Sequence, residues 1–351
     1  MSITTQKKSV LIIATLNSFI TPFMGSSVNI ALPAIEKEFH VDAVLLSWIA
    51  TSYLLAVTVS LVPFGRAADI YGRKKIFTSG IILFTLSSIL CAISISTPML
   101  LMFRMLQGMG NAMVLATGMA ILISVYPPEE RGKVLGINVA AVYIGLSVGP
   151  FLGGILTQYL SWRSVFLATV PIGLFSLFLT FRSLKGEWAD ARGEKFDLLG
   201  SVIYVVAIIG IIIGITLLPE IKSLWVISAG ALCLFAFAKW ELNVTHPIME
   251  LKIFRTNRVF AFSCIAALIN YSATFAVTFL LSLYLQHIKA LSPHMAGLVL
   301  VAQPFFMAFF SPFAGRLSDR IEPRIVATAG MICTTAGLFL MTFLEQNTHL
   351  G

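Results

Sequence analysis

"PFGRAADIYGRKKI", residues 63–76, lies between two long apolar stretches and carries five of the forty charged side chains in a 351-residue chain. The cluster stands out because the remainder is so apolar. Hydrophobic residues make up 58% of the chain, charged residues only 11%, and the mean hydropathy is +0.91. A soluble domain carries roughly 25% charged residues. Apolar runs of the ~20 residues needed to cross a bilayer recur on both sides of the cluster. These features define an all-α, polytopic membrane protein.

Outward from the cluster, eleven spans are expected at 9–33, 44–64, 76–96, 98–125, 134–158, 162–182, 197–217, 224–240, 259–285, 295–314 and 325–344. The cluster itself reads as the loop between the second and third. The first span follows "MSITTQKKSV" and is read as an uncleaved helix, since its apolar run continues past Asn29 and more spans follow. A net charge of +8 suggests nucleic acid in a soluble protein, but here it belongs in loops facing one side of a membrane. Nineteen of the 24 basic residues fall on the N-terminal side of the membrane; Lys37, Arg163, Lys222 and Lys289 fall opposite, and Arg104 is inside a span. The positive-inside rule then puts the N-terminus in the cytoplasm. An odd number of spans leaves "EQNTHLG" on the far side, which suggests a bundle that stops early. Cys91, Cys233, Cys264 and Cys333 sit within apolar runs, widely spaced, as packing residues rather than disulfides or metal ligands.

The cluster has a partner 250 residues on, in "PFAGRLSDRIEPRIV" from Pro312. Both read G-R-x-x-D, with Gly65, Arg66 and Asp69 matched by Gly315, Arg316 and Asp319. Two halves related by a parallel repeat are a recurring transporter design, with substrate bound between them.

Each Asp and Glu can be placed in a loop or at a span end, so Arg104 is the one charge expected within the membrane. Arg104, Gln107 and Asn111 fall on one face of the fourth span. They are read as a stripe lining a substrate or proton pathway, with an outer-leaflet snorkelling arginine as the alternative. Asn17, Asn29, Asn270 and Gln303 are further candidates for that pathway, or else polar bridges between helices. In the fifth span "GLSVGPFLGG" places Gly145, Gly149 and Gly153 at every fourth position, beside Pro150 and Gly154. Small residues at that spacing form a close-packing seam, and the Gly-Pro pair favours a kinked hinge that seals one end of a cavity.

Together these stretches resemble the major facilitator superfamily, and within it the fourteen-span drug:proton antiporters. "GRAADIYGRKK" is similar to the loop signature G-x-L-a-D-r-x-G-r-k at Gly65, Asp69, Gly72, Arg73 and Lys74, with Ala67 where leucine is usual. "LLMFRMLQGMGNA" fits the fourth-helix pattern around Arg104, Gln107, Gly108 and Gly110, and "GLSVGPFLGG" fits the antiporter signature. The resemblance implies a six-helix bundle at 1–182, a linker with two inserted helices and an interfacial segment at 183–258, and a partial second bundle at 259–351. About three further helices would follow Gly351. It also implies a latch in which Asp69 and the basic residues after Gly72 act, the carboxylate lying near a helix N-terminus. The repeat extends that latch to Gly315, Arg316 and Asp319. One departure is Met24, where relatives often carry an aspartate.

The function implied is proton-coupled efflux of small amphipathic compounds, by a monomer in the cell membrane, with protons as a further partner and no cofactor. Two alternatives stand beside it: a metabolite or sugar carrier of the same fold, and a truncated membrane protein without transport activity. The sequence contains no nucleophile–base pairing, metal-ligand spacing or phosphate-binding glycine loop that would suggest an enzyme.

Overall fold

A computed structural model describes residues 3–184, 186–289, 291 and 293–343. The helices are α1 (Ile3–Phe39), α2 (Ala43–Tyr71), α3 (Arg73–Ala92), α4 (Thr97–Val125), α5 (Pro128–Tyr159), α6 (Trp162–Leu167) and α7 (Val170–Ser183). They continue as α8 (Leu198–Thr216), α9 (Ile221–Glu241), the short α10 (Ile253–Thr256), α11 (Arg258–Leu283), α12 (Pro293–Ser318) and α13 (Pro323–Met341). Each expected span coincides with a helix, the sixth being divided between α6 and α7. Among the described residues, nine helical segments are long and apolar enough to cross a membrane. The last expected span reaches residue 344, and residues 344–351 lie outside the described residues, as does Lys185.

Helix starts follow local chemistry. Asp42, Asp197 and Asn257 cap α2, α8 and α11 by accepting the amides of Leu45 (2.8 Å), Gly200 (2.9 Å) and Phe260 (3.0 Å). Proline opens α4, α5, α7 and α13, where its missing N–H costs nothing. The principal correction concerns the G-R-x-x-D stretches. α2 continues through Gly65 and Asp69 to Tyr71 and breaks only at Gly72, whose φ of 115° suits glycine. α12 likewise includes Gly315 and Arg316 and stops at Ser318. Each stretch is therefore a helix end with a sharp corner rather than a loop.

α1 to α7 form one bundle around two apolar clusters. One holds Met24, Ile35, Ile49, Tyr53, Leu100 and Phe166; the other holds Ile13, Phe77, Ile121, Leu122 and Leu184, nearer the end where Arg66, Arg73 and Lys74 lie. We refer to that end as the basic end. α5 lies along α1 so closely that a β-carbon at Gly145 would stand 2.5 Å from the Phe19 carbonyl oxygen, and one at Gly153 2.8 Å from the Ser27 Cα. α5 is one continuous helix from Pro128 to Tyr159, with Pro150 inside it. The Ser27 hydroxyl donates to the Gly149 carbonyl across the seam at 2.8 Å.

α8 and α9 pair with each other and dock on α2 through Tyr204, Phe237 and Ile248 against Val62. The Tyr204 hydroxyl donates to the Thr58 carbonyl at 3.3 Å. α12 crosses α5, and α13 presents no buried residue among those described.

Candidate functional site

The crossing of α12 over α5 joins the first bundle to the later helices at the basic end. α5 starts with Pro128 followed by Glu129 and Glu130, and Gly132 and Gly136 then come against α12. A β-carbon at Gly136 would lie 2.6 Å from the Ser311 carbonyl oxygen, while Gly132 and Gly315 abut directly. The missing side chains let the two backbones approach. That approach brings Asp319, the first residue beyond α12, onto α5 amides near the start of that helix. Its Oδ1 accepts the Gly132 N–H at 2.6 Å and its Oδ2 accepts the Lys133 N–H at 2.7 Å. Hydrogen bonds to a charged acceptor are short and strong, and the N-terminal end of a helix favours a negative charge. Arg316 beside it is exposed.

The first corner is held differently. The Asp69 carboxylate accepts from Arg73, Nε at 3.1 Å and Nη2 at 2.8 Å. A helix-amide setting of the kind that the resemblance implied for Asp69 is seen here at its repeat mate, Asp319. Lys74 contributes through its backbone, its N–H donating to Glu187 Oε1 at 2.8 Å. Arg66 donates to Glu194 at 2.5 Å, and the Glu194 carboxylate also meets His246 Nδ1 at 2.9 Å. These two partners hold the Glu194 carboxyl below the usual carboxylate range, the Arg66 hydrogen bond contributing most.

Arg104, Gln107 and Asn111 share one face of α4, and that face is packed against protein. Arg104 is 1% exposed. Its Nε donates to the Ile49 carbonyl at 3.1 Å, Nη1 donates to Gln107 Oε1 at 2.5 Å, and the guanidinium lies 4.3 Å from the Tyr53 ring centre. Gln107 passes the network on, donating to Ser88 Oγ at 2.8 Å. The expectation that this stripe faces an open cavity is not met in this conformation, because Tyr53 and Phe166 close over the arginine. The snorkelling alternative is not met either.

Asn111 accepts from the Thr21 hydroxyl at 2.5 Å, and Asn17 donates to Ser176 Oγ at 2.6 Å, so both bridge α1 to its neighbours. Asn29 is exposed, and Asn270 and Gln303 are half-buried on α11 and α12. Gly154 differs from its seam neighbours, with only Ile30 Cγ2 near its position, at 3.8 Å. Sequence reading missed Tyr53, Ser88 and the linker acids Glu187, Asp190 and Glu194. For the linker a signal existed in its density of charge, in "KGEWADARGEKFD".

A polytopic helical bundle with a second set of helices packed against its α5 and α2 has the architecture of a membrane transporter. Comparison with known proteins supports this class and gives the family. The Major Facilitator Superfamily model matches residues 14–289 and 263–350. The chain is 32% identical over 346 residues to the riboflavin transporter RibZ of Clostridioides difficile strain 630, covering 98% of this chain and 75% of that protein. It is 32% identical over 331 residues to the multidrug resistance protein Stp of Mycobacterium tuberculosis strain CDC 1551, covering 92% of this chain and 60% of that protein. The fold is similar to that of the solved proton:xylose symporter XylE, with a TM-score of 0.58 at 13% identity over 90% of this chain and 69% of that one. The chain belongs to the Major Facilitator Superfamily, and its relatives are transporters rather than enzymes.

Proposed function

We propose that this chain is a proton-coupled exporter of small amphipathic compounds, working as a monomer in the cell membrane with its N-terminus and basic end in the cytoplasm. The observation that carries the mechanism is the Asp319 carboxylate docked on the α5 amides, with α5 and α12 in backbone contact around it. Such a contact is a gate in its shut form. Separating the two helices would expose Gly132, Gly136 and the carboxylate to water and open the basic end. Alternation between shut and open around a site between the two sets of helices moves substrate across the membrane.

The substrate reading draws on the relative named for multidrug resistance. A second reading, carriage of a flavin or similar metabolite, draws on the relative named as a riboflavin transporter. In either case Arg104 and Gln107, with Asn111, Asn17, Asn29, Asn270 and Gln303, are the polar groups proposed for the substrate or proton pathway, and the Gly145–Gly154 seam its hinge.

The test is efflux from energised cells of a panel of aromatic dyes, drugs and flavins, with and without an uncoupler. Efflux that stops with the proton gradient supports the exporter, and flavin-restricted movement supports the second reading. Efflux indifferent to the gradient removes proton coupling.

A further inference from the structure

The linker between α7 and α8 lies along the α2–α3 corner and meets it at five points. Glu187 accepts the Lys74 amide at 2.8 Å, and the Trp188 carbonyl accepts the Arg73 amide at 2.8 Å. Asp190 accepts Arg73 Nη2 at 2.6 Å, the Ala191 amide donates to the Asp69 carbonyl at 3.0 Å, and Glu194 accepts Arg66 Nη2 at 2.5 Å. Backbone and side-chain contacts alternate, so the linker is bound as a strap rather than touching at a single ion pair. The corner is shaped to receive it, because any β-carbon at Gly72 would strike the Glu187 side chain. The two G-R-x-x-D corners thus have different receptors: the second is taken by α5, the first by the linker.

A contiguous set of contacts connects the strap to the crossing. Arg73, shared between Asp69 and Asp190, also reaches Ser124 Oγ at 3.3 Å, in the last turn of α4. Arg131 of α5 returns to that same turn, donating to the Ile123 and Tyr126 carbonyls at 3.2 Å each. The next residue, Gly132, supplies the amide that holds Asp319. The strap therefore bears on the start of α5, and the start of α5 bears on the gate.

We propose that Asp190 and Glu194 are positioning residues of the transport cycle, holding Arg73 and Arg66 so that the first corner keeps the form in which the α5–α12 crossing is shut. This rests on reading that crossing as a gate. Neither residue touches the crossing. Each acts through an arginine, and such coupling is established only by showing that the far element responds.

The test uses the full chain in membrane vesicles, with its four cysteines replaced by alanine and a reporter introduced as Ser311→Cys, on the α12 turn that meets Gly136. Maleimide labelling of the reporter reads how often the crossing opens, and tryptic cleavage at Arg192 reads release of the strap. Asp190 is 72% exposed, so Asp190→Asn removes a charge without disturbing a core. Exposed ion pairs are worth little singly, so labelling should quicken roughly threefold in Asp190→Asn or Glu194→Gln and about tenfold in the double variant. Asp190→Glu should return the rate to that of the parent, which a merely space-filling role does not require.

Faster tryptic cleavage with unchanged labelling would overturn the proposal, leaving the linker a tether. Asp319→Asn is the control for the gate itself. If it too leaves labelling unchanged, the gate reading fails, and the positioning role fails with it.

Discussion

Replacing Asp319 by asparagine alters the proposed gate at a charged contact between α12 and α5. The carboxylate makes two hydrogen bonds to α5 amides, at 2.6 and 2.7 Å. Bonds to a charged partner contribute about 1.5–3 kcal/mol each, and a charge at a helix N-terminus adds about 0.3–1 kcal/mol. Asparagine keeps one acceptor oxygen and loses the other together with the charge. Because Asp319 is only half-buried, the lower ends of these ranges apply, for a net loss near ~2 kcal/mol. That corresponds to a shift of about 30-fold toward the open form. Labelling of a Ser311→Cys reporter in vesicles should quicken by that order when opening limits the reaction. In transport, turnover should fall with KM little changed, since Asp319 lies at the gate rather than at a substrate site. A labelling rate within twofold of the parent would instead show that the two bonds contribute nothing to closure.

Four further outcomes are expected. Gly136→Leu should hold the crossing open, because its first side-chain carbon already collides with the Ser311 carbonyl, whereas Gly154→Ala has room beside Ile30 and should leave melting unchanged. Glu38→Ala should lower thermal stability in detergent by about 1–3 kcal/mol. It removes the acceptor of the buried Trp162 indole N–H (2.7 Å) and of Arg163 (2.8 Å). Glu194 has a lowered pKa, so its contribution to the strap is present above the ordinary glutamate value of ~4.3 and is lost as pH falls through its lower folded-state value. Protection of the 187–197 amides, taken relative to their intrinsic exchange rate at each pH, should therefore hold through mild acid and fall only below the ordinary glutamate value. Arg104→Ala should reduce the yield of folded protein on a size-exclusion profile. It leaves Gln107 Oε1 without its arginine donor, at about 1–3 kcal/mol, and takes a second hydrogen bond from the Ile49 carbonyl, which α2 still satisfies.

The spans were legible because a bilayer demands long apolar runs and little else, and 198–216 or 221–241 can be read within a few residues. Their ends were less so. α2 runs seven residues past its expected end, because Ala67 and Ala68 carry the helix through Gly65 and Asp69 until Gly72 turns it. The spacing of Arg104, Gln107 and Asn111 put them on one face, but no spacing says whether that face meets a cavity or, as here, Tyr53 and Phe166. Gly315 and Asp319 were legible as a repeat of Gly65 and Asp69. Their receptors were not, since an α5 amide carries no mark in the sequence and Asp190 reaches Arg73 only after the chain has crossed 117 residues.

The most direct test of the account is the distance between spin labels at Lys133→Cys and Leu317→Cys, both exposed at the crossing, measured by double electron–electron resonance in bilayers. Two separations are expected, a short one matching the shut crossing and a longer one, whose proportions change with a proton gradient and with Asp319→Asn. A single short separation under every condition, in protein that transports, would contradict the claim that α5 and α12 form the gate.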